Sequence, residues 1–70
     1  MLEARAWILQ RIREARSQAA EAREAAREME DPAVAAVARQ LAADLDAVAD
    51  KYEARLAELE GRAIGGQPPV

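Results

Sequence analysis

The residues best suited to bind a ligand are four arginines near the start of the chain: Arg5, Arg11, Arg13 and Arg16. A guanidinium group offers phosphate two parallel hydrogen bonds, so a helix presenting these side chains could bind the backbone of a nucleic acid. The alternative is pairing within the chain, since residues 31–60 carry seven acids and only three bases. The net charge of −3 and the scarcity of aromatic residues for base stacking favour this pairing. The arginines are candidate phosphate contacts, and ion pairing is the preferred interpretation.

Catalytic chemistry has few residues to draw on. The chain contains no His and no Cys, so it lacks the commonest general base, the commonest metal ligand and a thiolate nucleophile. Ser17 is the only aliphatic hydroxyl group, and a hydrolase of the serine–histidine–aspartate type cannot be assembled from it. No loop shows the alternating carboxylates of a Ca²⁺ site. We therefore expect no enzymatic activity, no catalytic residue, no cofactor and no metal site.

Helices must position these residues, because the sequence favours helix everywhere except at a short break around Asp31 and Pro32. Asp31 can accept a hydrogen bond from a free amide of a starting helix, and proline suits the first helical position. The sequence predicts an all-α fold, a two-helix antiparallel hairpin. Gly61 is the expected end of the second helix, and the alternative is a last turn prolonged by Ala63 and Ile64. The predicted parts are a hairpin at 1–64 (helix one about 2–30, turn 30–32, helix two about 32–60) and a flexible tail at 65–70.

An apolar stripe with heptad spacing runs along helix one and indicates lengthwise packing on helix two. The middle of the stripe is alanine, which lets two backbones approach closely, as in the antiparallel hairpins called Alacoils. Folding back at Asp31 places these small residues opposite larger ones. We call this contact the seam, and its predicted members are Ile8, Ile12, Ala15, Ala19, Ala22, Ala26 and Met29 against Val34, Leu41, Leu45, Val48 and Tyr52.

The same register predicts ion pairs between the helices. The expected neighbours are Arg16 with Asp46 and Asp50, and Arg11 or Arg13 with Glu53. At the open end of the hairpin, far from the turn, two arginines repel unless an acid intervenes: Arg5 and Arg55, with Glu3, Glu58 or Glu60 as the acid. Exposed pairs of this kind contribute a few tenths of a kcal/mol each and favour the antiparallel arrangement.

A lone hairpin of this size is marginal, because 19 of its residues are alanine and each buries little area. The apolar arc of helix two spans roughly 120–140°, more than helix one can cover. A second copy of the chain is the simplest source of the missing helix, which predicts a homodimeric four-helix bundle. The predicted oligomer interface consists of Trp7, Ala42, Leu45, Ala49, Tyr52 and Leu56, with Ala42, Ala49 and Leu56 as spare apolar surface.

Trp7 is the most unusual single residue. On an ideal helix it points about 140° away from the stripe of Ile8 and Ile12. Tryptophan is enriched at the energetic centres of protein interfaces. A contact within the oligomer is the preferred interpretation. The alternatives are packing over the open end of the hairpin, contact with another protein and simple exposure.

No run of about 18 apolar residues exists, so no membrane span is expected. The apolar start at residues 7–9 is too short for a signal peptide and is closely followed by Arg11 and Arg13. We therefore expect the protein in the cytoplasm and away from membranes.

In outline, a two-helix hairpin of this length resembles the Rop family, whose chains dimerise into four-helix bundles and bind paired RNA loops. The resemblance is architectural and implies a dimeric bundle; no residue role is carried over. The expected function is a non-enzymatic interaction module, a small self-associating adaptor, regulator or assembly protein. The alternatives are a Rop-like nucleic-acid-binding regulator using the basic half of helix one, and an inert scaffold or designed helical protein. The expected partner is the chain itself, ahead of another protein and of nucleic acid.

Overall fold

Two helices packed lengthwise make up the fold. The computed structural model describes the backbone of residues 2–63 and the side chains of residues 3–61. Within that range, α1 spans Leu2–Glu28 and α2 spans Pro32–Ala63, and no strand occurs there. The predicted all-α, two-helix hairpin is confirmed. The predicted tail at 65–70 lies outside the described residues.

The turn between the helices is closed by Asp31. Its Oδ1 accepts a hydrogen bond from the amide of Ala33 at 2.8 Å, and its carbonyl oxygen accepts one from the amide of Ala35 at 3.0 Å. Pro32 is the first residue of α2, where a proline has no hydrogen bond to lose. The predicted start of the second helix is therefore confirmed. The first helix ends at Glu28, slightly before the expected end near residue 30.

The second helix continues through Gly61 to Ala63, so the expected stop at Gly61 is wrong and the alternative of a last turn prolonged to Ala63 is the one observed. A Cβ atom placed on Gly61 would meet nothing within 4 Å, so no close contact requires glycine there. One glycine costs a helix about 1 kcal/mol relative to alanine. Such a cost does not end a helix whose neighbouring residues favour helix on both sides.

Alanine lines both sides of the seam. The buried residues among those described are Ile8, Ala15, Ala19 and Ala26 on α1 and Ala35, Ala42 and Ala49 on α2. Ile8 is the only large side chain in this set, and no polar or charged residue of the described range is buried. Half-buried residues, including Ile12, Ala22, Leu45, Tyr52 and Leu56, lie at the edges of the seam.

The placement of Val34, Leu41 and Val48 in the seam is wrong. These side chains are 48%, 53% and 42% exposed, respectively. The residues that follow them take their place in the seam, namely Ala35, Ala42 and Ala49. One of the two predicted stripes of α2 is thus displaced by one residue, about 100°, whereas Leu45 and Tyr52 stay at the edge of the seam. Helix α2 is therefore rotated by roughly half that angle relative to the expected orientation. Alanine faces alanine, because the close approach of two alanine-lined backbones leaves no room between them for branched side chains.

Met29 also lies outside the seam, contrary to expectation. Its side chain is 37% exposed, and the residue follows the last residue of α1. Its amide donates a hydrogen bond of 3.3 Å to the carbonyl of Ala26, which closes the end of the helix. Met29 thus belongs to the turn rather than to the stripe of α1.

Candidate functional site

The main surface feature of the hairpin is a row of exposed large apolar side chains. We call it the apolar face, and its members are Trp7, Met29, Val34, Val37, Leu41 and Val48. On α2, at about 100° per residue, the four aliphatic members fall within an arc of about 60°. Half-buried Leu45 and Tyr52 lie between this arc and the seam. The row runs from the turn to the open end of the hairpin.

Contacts between the helices show that the apolar face is a single side of the molecule. Trp7 of α1 packs edge-to-face on Tyr52 of α2, with ring centroids 5.8 Å apart and an interplanar angle of 84°. Arg16 of α1 reaches Asp46 and Asp50 of α2 on the other side of the seam. The hairpin therefore has one apolar side and one side carrying ion pairs.

The open end of the apolar face is built around Trp7. Its indole is 54% exposed, and the guanidinium carbon of Arg11 lies 5.5 Å from the ring centroid. Arg11 Nη2 also pairs with Glu14 at 2.9 Å, which holds the arginine over the ring. The Nε of Arg11 is buried and has no hydrogen-bond partner among the described residues. An exposed tryptophan held between tyrosine and arginine is a composition typical of interface hot spots.

The predicted oligomer interface is divided by the structure. Ala42 and Ala49 are 1% and 0% exposed within the hairpin itself, so they are not spare surface for a second copy. They occupy the intrachain seam because α2 is rotated relative to expectation. Trp7 is exposed on the apolar face, whereas Leu45, Tyr52 and Leu56 are half-buried at the edges of the seam.

The four candidate phosphate contacts do not form one basic patch. Arg5 Nε donates to Glu60 Oε2 at 3.0 Å, and Arg11 pairs with Glu14 beside Trp7. Arg16 lies on the opposite side of the hairpin, bound to three carboxylates of α2. Arg13 is exposed and makes no ion pair with a residue of the described range. The side chains point to different neighbours, and three of the four already have an acidic partner.

Arg16 is the centre of the charged side. Its Nη1 donates to Asp46 at 2.9 Å, and its Nη2 donates to Asp50 and to Glu53, both at 2.8 Å. The hydrogen bond to Asp50 raises the pKa of Arg16 above its ordinary value, against the opposing effect of desolvation, and the negative charge of Glu53 adds to the rise. The predicted proximity of Arg16 to Asp46 and Asp50 is confirmed; Arg16 rather than Arg11 or Arg13 binds Glu53.

Two further ion pairs involve Arg23 of α1, which reaches towards the middle of α2, and Arg55, at the open end. Arg23 reaches the second oxygen of Asp46, which joins Arg16 and Arg23 through one carboxylate. At the open end, Arg55 pairs with Glu58 at 3.6 Å, while Arg5 pairs with Glu60. The expected repulsion between Arg5 and Arg55 is thus relieved by the acids that were considered for this role.

Val37 is the member of the apolar face that the sequence reasoning missed, and it is 70% exposed. Met29, Val34, Leu41 and Val48 were recognised as apolar but assigned to the seam. One signal could have separated them: an alanine heptad at 35, 42 and 49 directly follows the larger heptad at 34, 41 and 48. An alanine-lined helix can approach its neighbour closely. Of two adjacent stripes on that neighbour, the one with the smaller side chains then fits between the helices.

The described residues form neither a metal-binding cluster nor a membrane-spanning segment. No group of three or more acidic side chains is arranged there to hold a metal ion. Neither helix contains, over that range, an apolar segment long enough to cross a membrane.

Comparison of the chain with models of known protein families, with curated proteins and with solved structures finds no match.

Proposed function

We propose that this protein is a non-enzymatic helical interaction module that self-associates through its apolar face, forming a homodimeric four-helix bundle. In this role it acts as a small adaptor, regulatory or assembly protein. The observation that carries the proposal is the combination of an alanine seam inside the hairpin and large apolar side chains outside it. Burial of the larger side chains requires a second surface.

The energetics of the hairpin support this proposal. Among the described residues the buried set contains six alanines and Ile8, and an alanine contributes only one methyl group to the core. Full burial of a valine, leucine or methionine is worth about 1.5–3 kcal/mol. Val34, Val37, Leu41 and Val48 are 42–70% exposed, so a large part of the stabilisation that their burial could supply is unused in a single copy.

A second copy is the partner that the face fits most simply. The aliphatic row is a stripe on a helix, and a helix with a matching stripe is supplied by another molecule of the same chain. Twofold symmetry brings the same patch of both copies together and is by far the commonest symmetry of soluble oligomers. The two α2 helices and the two α1 helices would then enclose a common core.

The direct test is the molar mass in solution, measured by sedimentation or light scattering over a range of concentrations. We expect twice the 7.6 kDa of one chain at micromolar concentration. Leu41→Asp should raise the dissociation constant of the dimer about a hundredfold or more, because it places one charge per copy in the buried face.

The matched control is Ala43→Asp, an exposed position of α2 directed away from the apolar face. It introduces the same side chain into the same helix and should leave the mass unchanged. A compact monomer with cooperative melting would contradict the proposal, as would equal effects of the two substitutions.

A further inference from the structure

We infer that the two copies pack with their α2 helices antiparallel, so that the turn of each hairpin meets the open end of its partner. The inference rests on the proposed self-association and specifies its geometry. The twofold axis then passes near Leu41, perpendicular to the helices. The two end contacts are identical, and each combines residues of both copies.

The position of the twofold axis follows from how far the exposed aliphatic stripe extends along α2. Along α2 the exposed aliphatic residues run from Val34 to Val48, and Leu41 is the middle of that heptad series. An antiparallel pair centred on Leu41 sets Val34 of one copy against Val48 of the other. Every large exposed member of α2 then meets an apolar counterpart, over a length of about 21 Å at 1.5 Å per residue.

The charge at the turn distinguishes the antiparallel pair from the parallel one. Residues 24–31 carry four acids and one base. Arg27 already pairs with Glu24 at 3.1 Å, whereas Glu28 and Glu30 are exposed and form no ion pair with a residue of the described range. The turn end of the hairpin is therefore negative, immediately beside Met29 and Val34 of the apolar face.

The open end carries cations at the corresponding place. Arg55 occupies the next heptad position after Val34, Leu41 and Val48, so it continues the line of the apolar face. Lys51 is exposed beside it, and both line a shallow groove of about 400 Å³ together with Tyr52, Ala54 and Glu58. This groove next to the aromatic pair is the place where the partner's turn would lie.

The two orientations differ in which charges meet. In the antiparallel pair, the acidic turn of one copy lies against Lys51 of the other at both ends. It also lies near Arg55 and Arg11, which pair within their own hairpin with Glu58 and Glu14. In a parallel pair, the acids of one turn face the acids of the other, and the cations face cations. Complementary charge determines orientation more than it determines affinity, so this difference selects the antiparallel arrangement.

Distances between spin labels test the orientation directly. The chain has no cysteine, so Ala33→Cys and Ala54→Cys each introduce one labelling site at an exposed alanine of α2. Neither alanine supplies a large side chain to the proposed contact, and Ala54 borders the groove. At 1.5 Å per residue from an axis at Leu41, pulsed electron paramagnetic resonance should give about 25 Å between two labels at 33 and about 40 Å between two at 54. Mixing the two variants should produce a short distance, under about 20 Å, between a label at 33 and one at 54.

The reverse pattern would overturn the inference: short distances within each variant and about 30 Å in the mixture, as a parallel pair requires. That result leaves the proposed dimer intact, because the mass remains twice that of one chain. Absence of any intermolecular distance together with a monomeric mass would overturn both the orientation and the proposed function. The labelled variants also report their own integrity, since each must retain the helix content and molar mass of the unlabelled protein.

Discussion

Trp7 connects three interactions at one position. Its ring contacts Tyr52 edge-to-face, lies under the guanidinium group of Arg11 and is still 54% exposed. Aromatic pairs of this geometry contribute about 0.5–1.5 kcal/mol beyond their buried area. The side chain is thus fixed in place before any partner binds, which lowers the entropy lost on association.

Replacing Trp7 with alanine should weaken self-association by at least about thirtyfold, which corresponds to a hot-spot contribution of about 2 kcal/mol. The dissociation constant can be measured by sedimentation equilibrium. In the unaltered protein, the emission of this single tryptophan should shift to shorter wavelength as the concentration rises and the ring is covered.

The control on the same helix is Arg13→Ala, which removes a large exposed side chain away from the face. It should leave both the dissociation constant and the emission shift unchanged. If the two substitutions have the same effect, or if the emission is independent of concentration, Trp7 does not lie in the interface.

At the scale of the helices, the turn and the register were predictable, whereas the rotation of α2 was not. Asp31 and Pro32 have strong local preferences that act within a few residues. The register followed from the lengths on either side of the turn and was supported by Arg16 opposite Asp46. Rotation depends on which of two adjacent apolar stripes enters the seam, and this is decided by the distance between the helix axes. That distance depends on all the packed side chains together. A prediction from hydrophobicity alone therefore placed Leu41 in the seam, whereas it lies on the apolar face.

Two substitutions in α2 distinguish the observed rotation of this helix from the expected one. Ala49 is fully buried between the helices, so Ala49→Leu should lower the free energy of unfolding by about 1–3 kcal/mol through overpacking. Ala47→Leu adds the same side chain at an exposed position of α2 and should change stability by under about 0.5 kcal/mol. Urea denaturation followed by circular dichroism, at one fixed protein concentration, measures both. Equal stability of the two variants would refute the alanine seam.

Considered as a whole, the molecule separates its polar and apolar interactions between two sides. Ion pairs of Arg16 and Arg23 cover one side, and large apolar side chains cover the other. Near the apolar side, the charges that form no ion pair within the described residues are Glu28 and Glu30 at the turn and Lys51 at the open end. The candidate site was therefore only partly predictable. The number of large apolar residues indicated association, but which of them lie on the exposed apolar face depends on the rotation of α2.

Charge reversal at one end should weaken the antiparallel dimer, and reversal at the other end should restore it. Arg55→Glu is expected to raise the dissociation constant about two- to thirtyfold at low salt, because exposed pairs contribute about 0.2–1 kcal/mol and symmetry counts each pair twice. Adding Glu30→Lys in the same chain should recover most of the loss, and about 1 M salt should remove the difference.

The control for net charge is Arg39→Glu, which changes the total by the same amount at an exposed position of α2 on the other flank of the seam. It should weaken the dimer much less than Arg55→Glu does. If Glu30→Lys worsens the defect of Arg55→Glu instead of relieving it, the turn does not meet the partner's open end.

The alanine seam has a consequence for how the chain finds its register while folding. Ala35, Ala42 and Ala49 repeat every seven residues, so sliding α2 by one heptad along α1 can put Ala42 and Ala49 in the places of Ala35 and Ala42. Only the place of Ala49 then receives a larger side chain, that of Leu56. Such a surface offers little steric resistance to misalignment, unlike a core in which each side chain fits one particular hole. Correct alignment is left to the short turn and to the carboxylates around Arg16. Lengthening the turn while removing Arg16 would therefore convert a single hairpin into a set of interconverting ones with similar helix content.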